Sequence, residues 1–204
     1  MVWMQTGSGR AFELWLPRPE DVDFERDVAP ALARLPRFAG QMRPELIDEP
    51  SYTVAQHCVL GAKAILYRTN DASSAFLFLL HDAHEAYIND ITTPVANALG
   101  DDAHRRIKNL KYKIDEAIHT AAGAADFFTD FPHSRSRRNL VKSYDIAMLK
   151  AEREIILGPS PLRWDEATET SFDLLDLAIL PIWPARRARE EWLALFNALR
   201  TRKS

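Results

Sequence analysis

The chain has a single cysteine, Cys58, among 204 residues. That excludes an internal disulfide and any zinc site built on several thiolates. Glycine is also scarce, at seven residues, which disfavours turn-rich β architectures. No apolar run approaches the roughly 20 residues needed to span a bilayer, so no membrane partner is expected. The N-terminal Met-Val-Trp-Met-Gln-Thr-Gly lacks a charged segment leading into an apolar one, so a secretory signal is not expected and a cytoplasmic location is. A basic excess is missing too. Net charge is −3, which argues against nucleic acid as the main partner. The Arg135–Arg138 and Arg186–Arg189 clusters read as solvated helix surface.

What is present is apolar: 47% of residues, enough for one domain of ordinary size with a substantial core. Six prolines fall within the first fifty residues (Pro17, Pro19, Pro30, Pro36, Pro44 and Pro50) and break that stretch into short pieces. It is expected to hold one short helix within Asp23–Leu35 and a short ribbon at Ala11–Leu16. Gly7-Ser8-Gly9-Arg10 lacks the spacing of a phosphate loop and reads as a flexible terminus.

From Ser51 onward the pattern is helical. Ser51 or Thr53 caps a helix through about Arg68, with Val54, Cys58, Ala62 and Ile65 at helical spacing. Asn70 or Asp71 caps the next, Ala72 to about Ile88, which opens on the apolar run Ala75–Leu80 and is expected at the centre of the domain. Thr92-Thr93-Pro94 starts a short helix. A long helix over Asp101–Ala122 precedes a loop at Asp126–Pro132. Another, capped by Ser134 or Ser136, runs to Leu157 and stops at Gly158-Pro159-Ser160-Pro161. Helices over Asp165–Ile179 and Pro184–Arg200 complete a single all-α domain spanning 1–204 behind an irregular N-terminal segment. Trp164, Trp183 and Trp192 read as packing for the C-terminal helices. The stripe Trp192, Leu195, Phe196, Leu199 is expected to pack on the domain or across a homodimer, away from any active site.

Chemistry is sought where an ionisable residue occupies a core position, because an unpaired buried charge is costly. His57 lies on the stripe of Val54, Cys58 and Ala62, either as a hydrogen-bonded core histidine or as a ligand. His81-Asp82 ends the run Phe76–Leu80, where the helix either becomes exposed or meets an ion. Asp145 sits on the inward stripe of Val141, Tyr144 and Met148, either paired with an arginine or ligating. Together they form a mixed N/O donor set suited to one divalent ion: Mn, Fe, Co, Ni, Mg or Zn. Such an ion binds phosphate oxygens and acidifies water. Cys58 reads as a buried packer. His84 is the remaining candidate for a proton relay, while His104, His119 and His133 lack partners at ligand spacing.

Three segments carry a resemblance: Tyr52-Thr-Val-Ala-Gln-His57, then Leu80-His-Asp-Ala-His-Glu85-Ala-Tyr-Ile-Asn-Asp90-Ile-Thr-Thr-Pro94, then Val141-Lys-Ser-Tyr-Asp145. From about Leu35 to Glu154 the chain resembles the HD-domain phosphohydrolase superfamily, and within it the bacterial 5′-deoxynucleotidase branch. The resemblance implies an HD-type helical bundle with a motif core over about 35–157. It also implies a metal held by His57, His81, Asp82 and Asp145, with Glu85 positioning or deprotonating the attacking water and Asp90 lining the site. By the same resemblance Arg37 holds phosphate and Phe38 borders the sugar, although Phe38 replaces a tryptophan and its spacing to His57 is longer. The implied substrate is a small phosphoester, a (deoxy)nucleoside 5′-monophosphate. Few cations lie near the motifs (Arg37, then Arg43, Lys63 and Lys142), which favours a monophosphate over a triphosphate. A triphosphohydrolase or another HD phosphohydrolase is the alternative, and a non-catalytic nucleotide-binding regulator a second.

Overall fold

The computed structural model describes residues 2–128, 132–174 and 179–202. It is all-α apart from one small ribbon, in which β1 (Trp3–Gln5) pairs antiparallel with β2 (Ala11–Glu13). The Gly-Ser-Gly turn joining these strands is anchored, contrary to the flexible terminus expected. Ser8 donates to Asp27 through its amide (2.7 Å) and its hydroxyl (2.8 Å). Phe12 of β2 stacks on Tyr87 with ring centroids 3.7 Å apart, fastening the ribbon to the turn that carries the candidate site.

Asp23 caps the first helical segment by accepting from the Glu25 and Arg26 amides, and the chain runs through Phe24–Val28 into α1 (Ala29–Leu32). The principal helices are α2 (Val54–Thr69), capped by Thr53 and closed by left-handed Asn70, and α3 (Ala72–Leu80), capped by Asp71. Every residue from Ala75 to Leu80 is buried, so α3 is the central helix, enclosed on all sides. At Gly61, α2 approaches α3 so closely that a Cβ would sit 2.1 Å from the Phe78 ring.

The helix expected to continue to Ile88 breaks at His81. Beyond Leu80 the backbone bonds tighten to i→i+3, with the Glu85 amide donating to the Asp82 carbonyl (3.0 Å) and Tyr87 to His84 (3.0 Å). The next element, α4, covers only Glu85–Ile88. No glycine or proline marks this break. Its local cause is the His81 ring, whose Nδ1 takes the Phe78 carbonyl at 2.6 Å.

The short helix α5 (Thr93–Ala98) has Pro94 in its first turn, and Thr92 precedes it without a side-chain cap. It leads into α6 (Asp101–Ala121). Next, α7 (Pro132–Ile156) starts earlier than the serine caps implied; proline occupies its first position and Ser134 is buried inside it. The expected loop at Asp126–Pro132 lies partly outside the described residues. The helix expected over Asp165–Ile179 shrinks to α8 (Glu166–Glu169), capped by Asp165. Residues 171–174 leave helical geometry because the lysine of α7 and an arginine of α2 claim their polar groups. Lys150 bonds the Ser171 carbonyl (3.0 Å) and Asp173 (2.7 Å), and Arg68 bonds the Asp173 carbonyl (3.1 Å). The remainder of that expected helix, 175–178, lies outside the described residues.

The last helix, α9 (Ala185–Thr201), covers α1, α2 and α3 with fully buried Trp192 and with Phe196 and Leu199. The C-terminal stripe therefore packs on its own chain. Buried Gln56 fixes the approach to α9 by donating to the Ile179 carbonyl (2.9 Å) and accepting from the Trp183 amide (2.9 Å). Among the described residues no helix is long and apolar enough to cross a membrane.

Candidate metal centre

Three helical elements bring the four expected ligands together. From α2 comes His57, fully buried; from the turn after α3 come His81 and Asp82; from α7 comes Asp145. His57 Nε2 lies 3.4 Å from His81 Nε2, 3.8 Å from Asp82 Oδ2 and 3.6 Å from Asp145 Oδ1. His81 Nε2 lies 3.2 Å from Asp82 Oδ2 and 3.6 Å from Asp145 Oδ1. Around an ion with bonds of about 2.0–2.2 Å, neighbouring donors stand about 3.0–3.6 Å apart. Side chains from distant segments thus stand at coordination spacing, and the donor set fits a divalent cation.

The rings are held for this task. His57 Nδ1 donates to Glu152 Oε1 at 2.6 Å and His81 Nδ1 to the Phe78 carbonyl at 2.6 Å. Each bond ties up Nδ1 and turns Nε2 toward the cluster, the usual outer support of a metal-binding histidine. Glu152 was not foreseen. It is fully buried on α7, two turns after Asp145, and also accepts from the Tyr52 hydroxyl (2.8 Å) and Arg37 Nε (3.1 Å). Burial would raise its pKa, but Arg37 and His57 outweigh that and hold it below the usual glutamate range.

Arg37 reaches the site, though its guanidinium is engaged there: Nη1 is 3.3 Å from Asp82 Oδ2 and Nε is on Glu152. Its side chain is 11% exposed. Phe38 lies beside it, half-buried, with the guanidinium 5.6 Å from its ring centroid. Phe38 and Ala39 adopt left-handed backbone angles (φ 55° and 52°), a strained conformation for side-chain-bearing residues.

Without a cation, the cluster's own charges set its protonation. Burial works against a charge on His81, yet Asp82 and Asp145 hold its pKa well above the ordinary histidine value. Conversely, His81 and His57 hold Asp82 well below the carboxylate range despite burial. Asp145 is lowered likewise, chiefly by His81. Glu85 behaves in the opposite way: burial, then Asp82 and Asp90, push it up to about 9. Asp90 is raised by burial and by Asp82, which places both carboxyls in the field of the same cluster. Burial lifts the Cys58 thiol to about 11, as befits a packing residue.

A cavity of about 270 Å³ opens beside His81 and Asp145, lined further by Asp115, His119, Arg138 and Lys142. Arg138 had read as solvated surface and Lys142 as one of the few cations near the motifs. Both face this cavity, and Lys142 bonds Asp145 Oδ2 at 3.0 Å. The other two cations considered are elsewhere: Arg43 donates to carbonyls at the end of α7, and Lys63 pairs with Glu191 at 2.8 Å.

Fold and site thus define an all-α protein with a largely buried His/Asp cluster, partly open at His81, Asp82 and Asp145, able to hold a metal ion. No family model matches the chain. It is 31% identical over 153 residues to the uncharacterized protein YfdR of Escherichia coli, covering 75% of this chain and 71% of that protein. It is 30% identical over 166 residues to the uncharacterized protein RCAP_rcc00048 of Rhodobacter capsulatus, covering 80% of this chain and 77% of that one. The chain belongs to the family of these two bacterial proteins.

Proposed function

We propose that this chain is a divalent-metal-dependent phosphohydrolase of the HD type, acting on a small phosphoester and releasing phosphate. The observation that carries the reading is the approach of Asp82 Oδ2 and Asp145 Oδ1 to the paired His57 Nε2 and His81 Nε2, with the histidine–histidine and histidine–carboxylate separations at 3.2–3.8 Å. When bound there, a divalent ion supplies charge neutralisation at a phosphoryl group and lowers the pKa of water. The chain's own residues supply the rest. Glu85, buried beside Asp82, positions the attacking water and would take its proton once the charge of a bound ion returns it to the carboxylate form, and Asp90 lines the same space. Glu152 and Phe78 hold the histidine rings, while Arg37 orients Asp82.

The substrate we favour is a (deoxy)nucleoside 5′-monophosphate. The adjoining cavity, about 270 Å³, is slightly below the roughly 300–1,000 Å³ usual for small-molecule sites. Arg138 and Lys142 on its wall favour a second reading, a substrate with further phosphates. Phosphate release measured over nucleoside mono-, di- and triphosphates, with added metal, separates the two. Inorganic triphosphate released while monophosphates stay intact would overturn the monophosphate reading.

A further inference from the structure

A second cavity lies where the chain leaving α7 folds back over the end of that helix. Its volume is about 460 Å³, within the roughly 300–1,000 Å³ usual for small-molecule sites. Among the described residues it shares none of its lining with the cavity beside His81. Its walls are Arg43, the last turn of α7, the segment Gly158–Trp164 and Glu169 of α8. Three arginines there (Arg43, Arg153 and Arg163) face two glutamates (Glu154 and Glu169), which leaves an excess of one positive charge.

One of the three arginines is committed. Arg153 bonds Glu169 Oε1 at 2.6 Å and lies over the Trp164 ring, 5.4 Å from its centroid. Glu169 Oε1 also accepts from the Trp164 amide at 3.1 Å, so the indole is a fixed part of the wall. Arg43 is committed only in part. Its Nη2 donates to the carbonyls of Glu154 and Leu157, and its amide to the Ile156 carbonyl at 2.8 Å. That neutralises the negative end of α7, which would otherwise repel an anion. Its Nε, however, is buried with no hydrogen-bond partner among the described residues, a costly state for a charged donor. Arg163 is exposed and makes no hydrogen bond or ion pair among the described residues. Leu162 stands beside it, 77% exposed. A loop merely packed on a helix end accounts for Trp164 and its arginine, but not for Arg43 Nε, Arg163 or Leu162.

We propose that this cavity binds a small aromatic oxyanion, a carboxylate or phosphate group carried on a flat ring. The head accepts from Arg43 Nε and from Arg163, whose guanidinium groups suit either oxyanion. The ring packs against Trp164 and Leu162, where an aromatic face gains both buried area and a stacking partner. Neither glutamate opposes the head: Glu169 is paired with Arg153, and the Glu154 side chain is 61% exposed, where water screens it.

The test is binding to chelator-stripped protein, measured by titration calorimetry with phenylphosphonate, benzoate and the ringless methylphosphonate. We expect one equivalent of an aromatic anion per wild-type chain, bound more tightly than methylphosphonate; whether phenylphosphonate or benzoate binds better identifies the head group. Arg163→Ala is expected to weaken binding by roughly tenfold, the worth of one charge-assisted hydrogen bond. Trp164→Leu is expected to abolish the advantage of the ring; if it does not fold by circular dichroism, Arg163→Ala, which alters only an exposed side chain, carries the test. His81→Ala is expected to bind the anions as wild type does. No binding by wild type, undiminished affinity in Arg163→Ala, or loss of binding in His81→Ala overturns the proposal, and equal affinity for methylphosphonate and phenylphosphonate overturns its aromatic part. None of these readouts depends on phosphate release, so the phosphohydrolase reading stands or falls separately.

Discussion

Replacing Glu152 by Gln isolates the support of the metal centre from its ligands. The carboxylate is fully buried and satisfies His57 Nδ1 (2.6 Å), the Tyr52 hydroxyl (2.8 Å) and Arg37 Nε (3.1 Å). Glutamine preserves the volume but removes the charge that the buried guanidinium faces. Arg37 keeps Asp82 at 3.3 Å, so the loss is partial, near the lower end of the 3–5 kcal/mol typical of a broken buried pair. For a domain of this size, about 3 kcal/mol lowers Tm by roughly 6–12 °C. His57 loses the acceptor that fixes its tautomer, which weakens metal binding by about 10–100-fold. Thermal unfolding of the metal-free variant and Mn(II) titration measure the two effects separately. An unchanged Tm together with an unchanged metal affinity would refute the assignment of Glu152 as the support of His57 and Arg37.

The sequence displayed the residues of the cluster because each breaks an apolar face: His57 among small residues of α2, His81-Asp82 after five apolar residues, Asp145 on the stripe of Val141 and Met148. Glu152 breaks the same stripe seven residues after Asp145 but gave no alarm, since glutamate is a good helix former and raises no propensity conflict. A search for acceptors of His57 Nδ1 along that stripe would have found it. The break after Leu80 was hidden for a different reason. Residues 81–88 contain no glycine or proline, and the turn is set by a side-chain bond to the backbone together with Tyr87 stacking on Phe12, a contact 75 residues distant in sequence. Arg37 stands beside the cluster, but its pairing depends on Glu152, so its engagement could not be read from local spacing. The cavity wall of His119, Arg138 and Lys142 draws on α6 and α7 together, a juxtaposition that only packing creates.

Three further outcomes are expected. Gly61→Ala drives a methyl into Phe78, 2.1 Å away, whose ring borders both His57 and His81; stability falls by at least about 1–3 kcal/mol and metal affinity falls with it, by denaturant unfolding and metal titration. Because His81 is protonated above the ordinary histidine pKa in the metal-free protein, metal binding near pH 7 displaces about one proton from it. That proton is already gone above the raised pKa, so affinity increases with pH up to that point; calorimetry in buffers of differing ionisation enthalpy counts it, and a count of zero contradicts the assignment. Glu85→Gln is expected to retain the ion at His57, His81, Asp82 and Asp145 while phosphate release slows by roughly 10²–10⁴-fold, and loss of that ion in step with activity would place Glu85 in its coordination shell.

The central claim is that one cluster both binds the ion and supports phosphoester hydrolysis, and a paired measurement on wild type and His81→Ala tests it most directly. Both proteins are stripped with chelator and reloaded with Mn(II); bound metal is then counted, and inorganic phosphate is measured from a panel of deoxynucleoside 5′-monophosphates. The account expects wild type to bind metal and release phosphate, and His81→Ala to lose the cluster's ion and at least about 10²-fold in rate together. Full phosphate release by His81→Ala, or by stripped wild type with chelator still present, would contradict it.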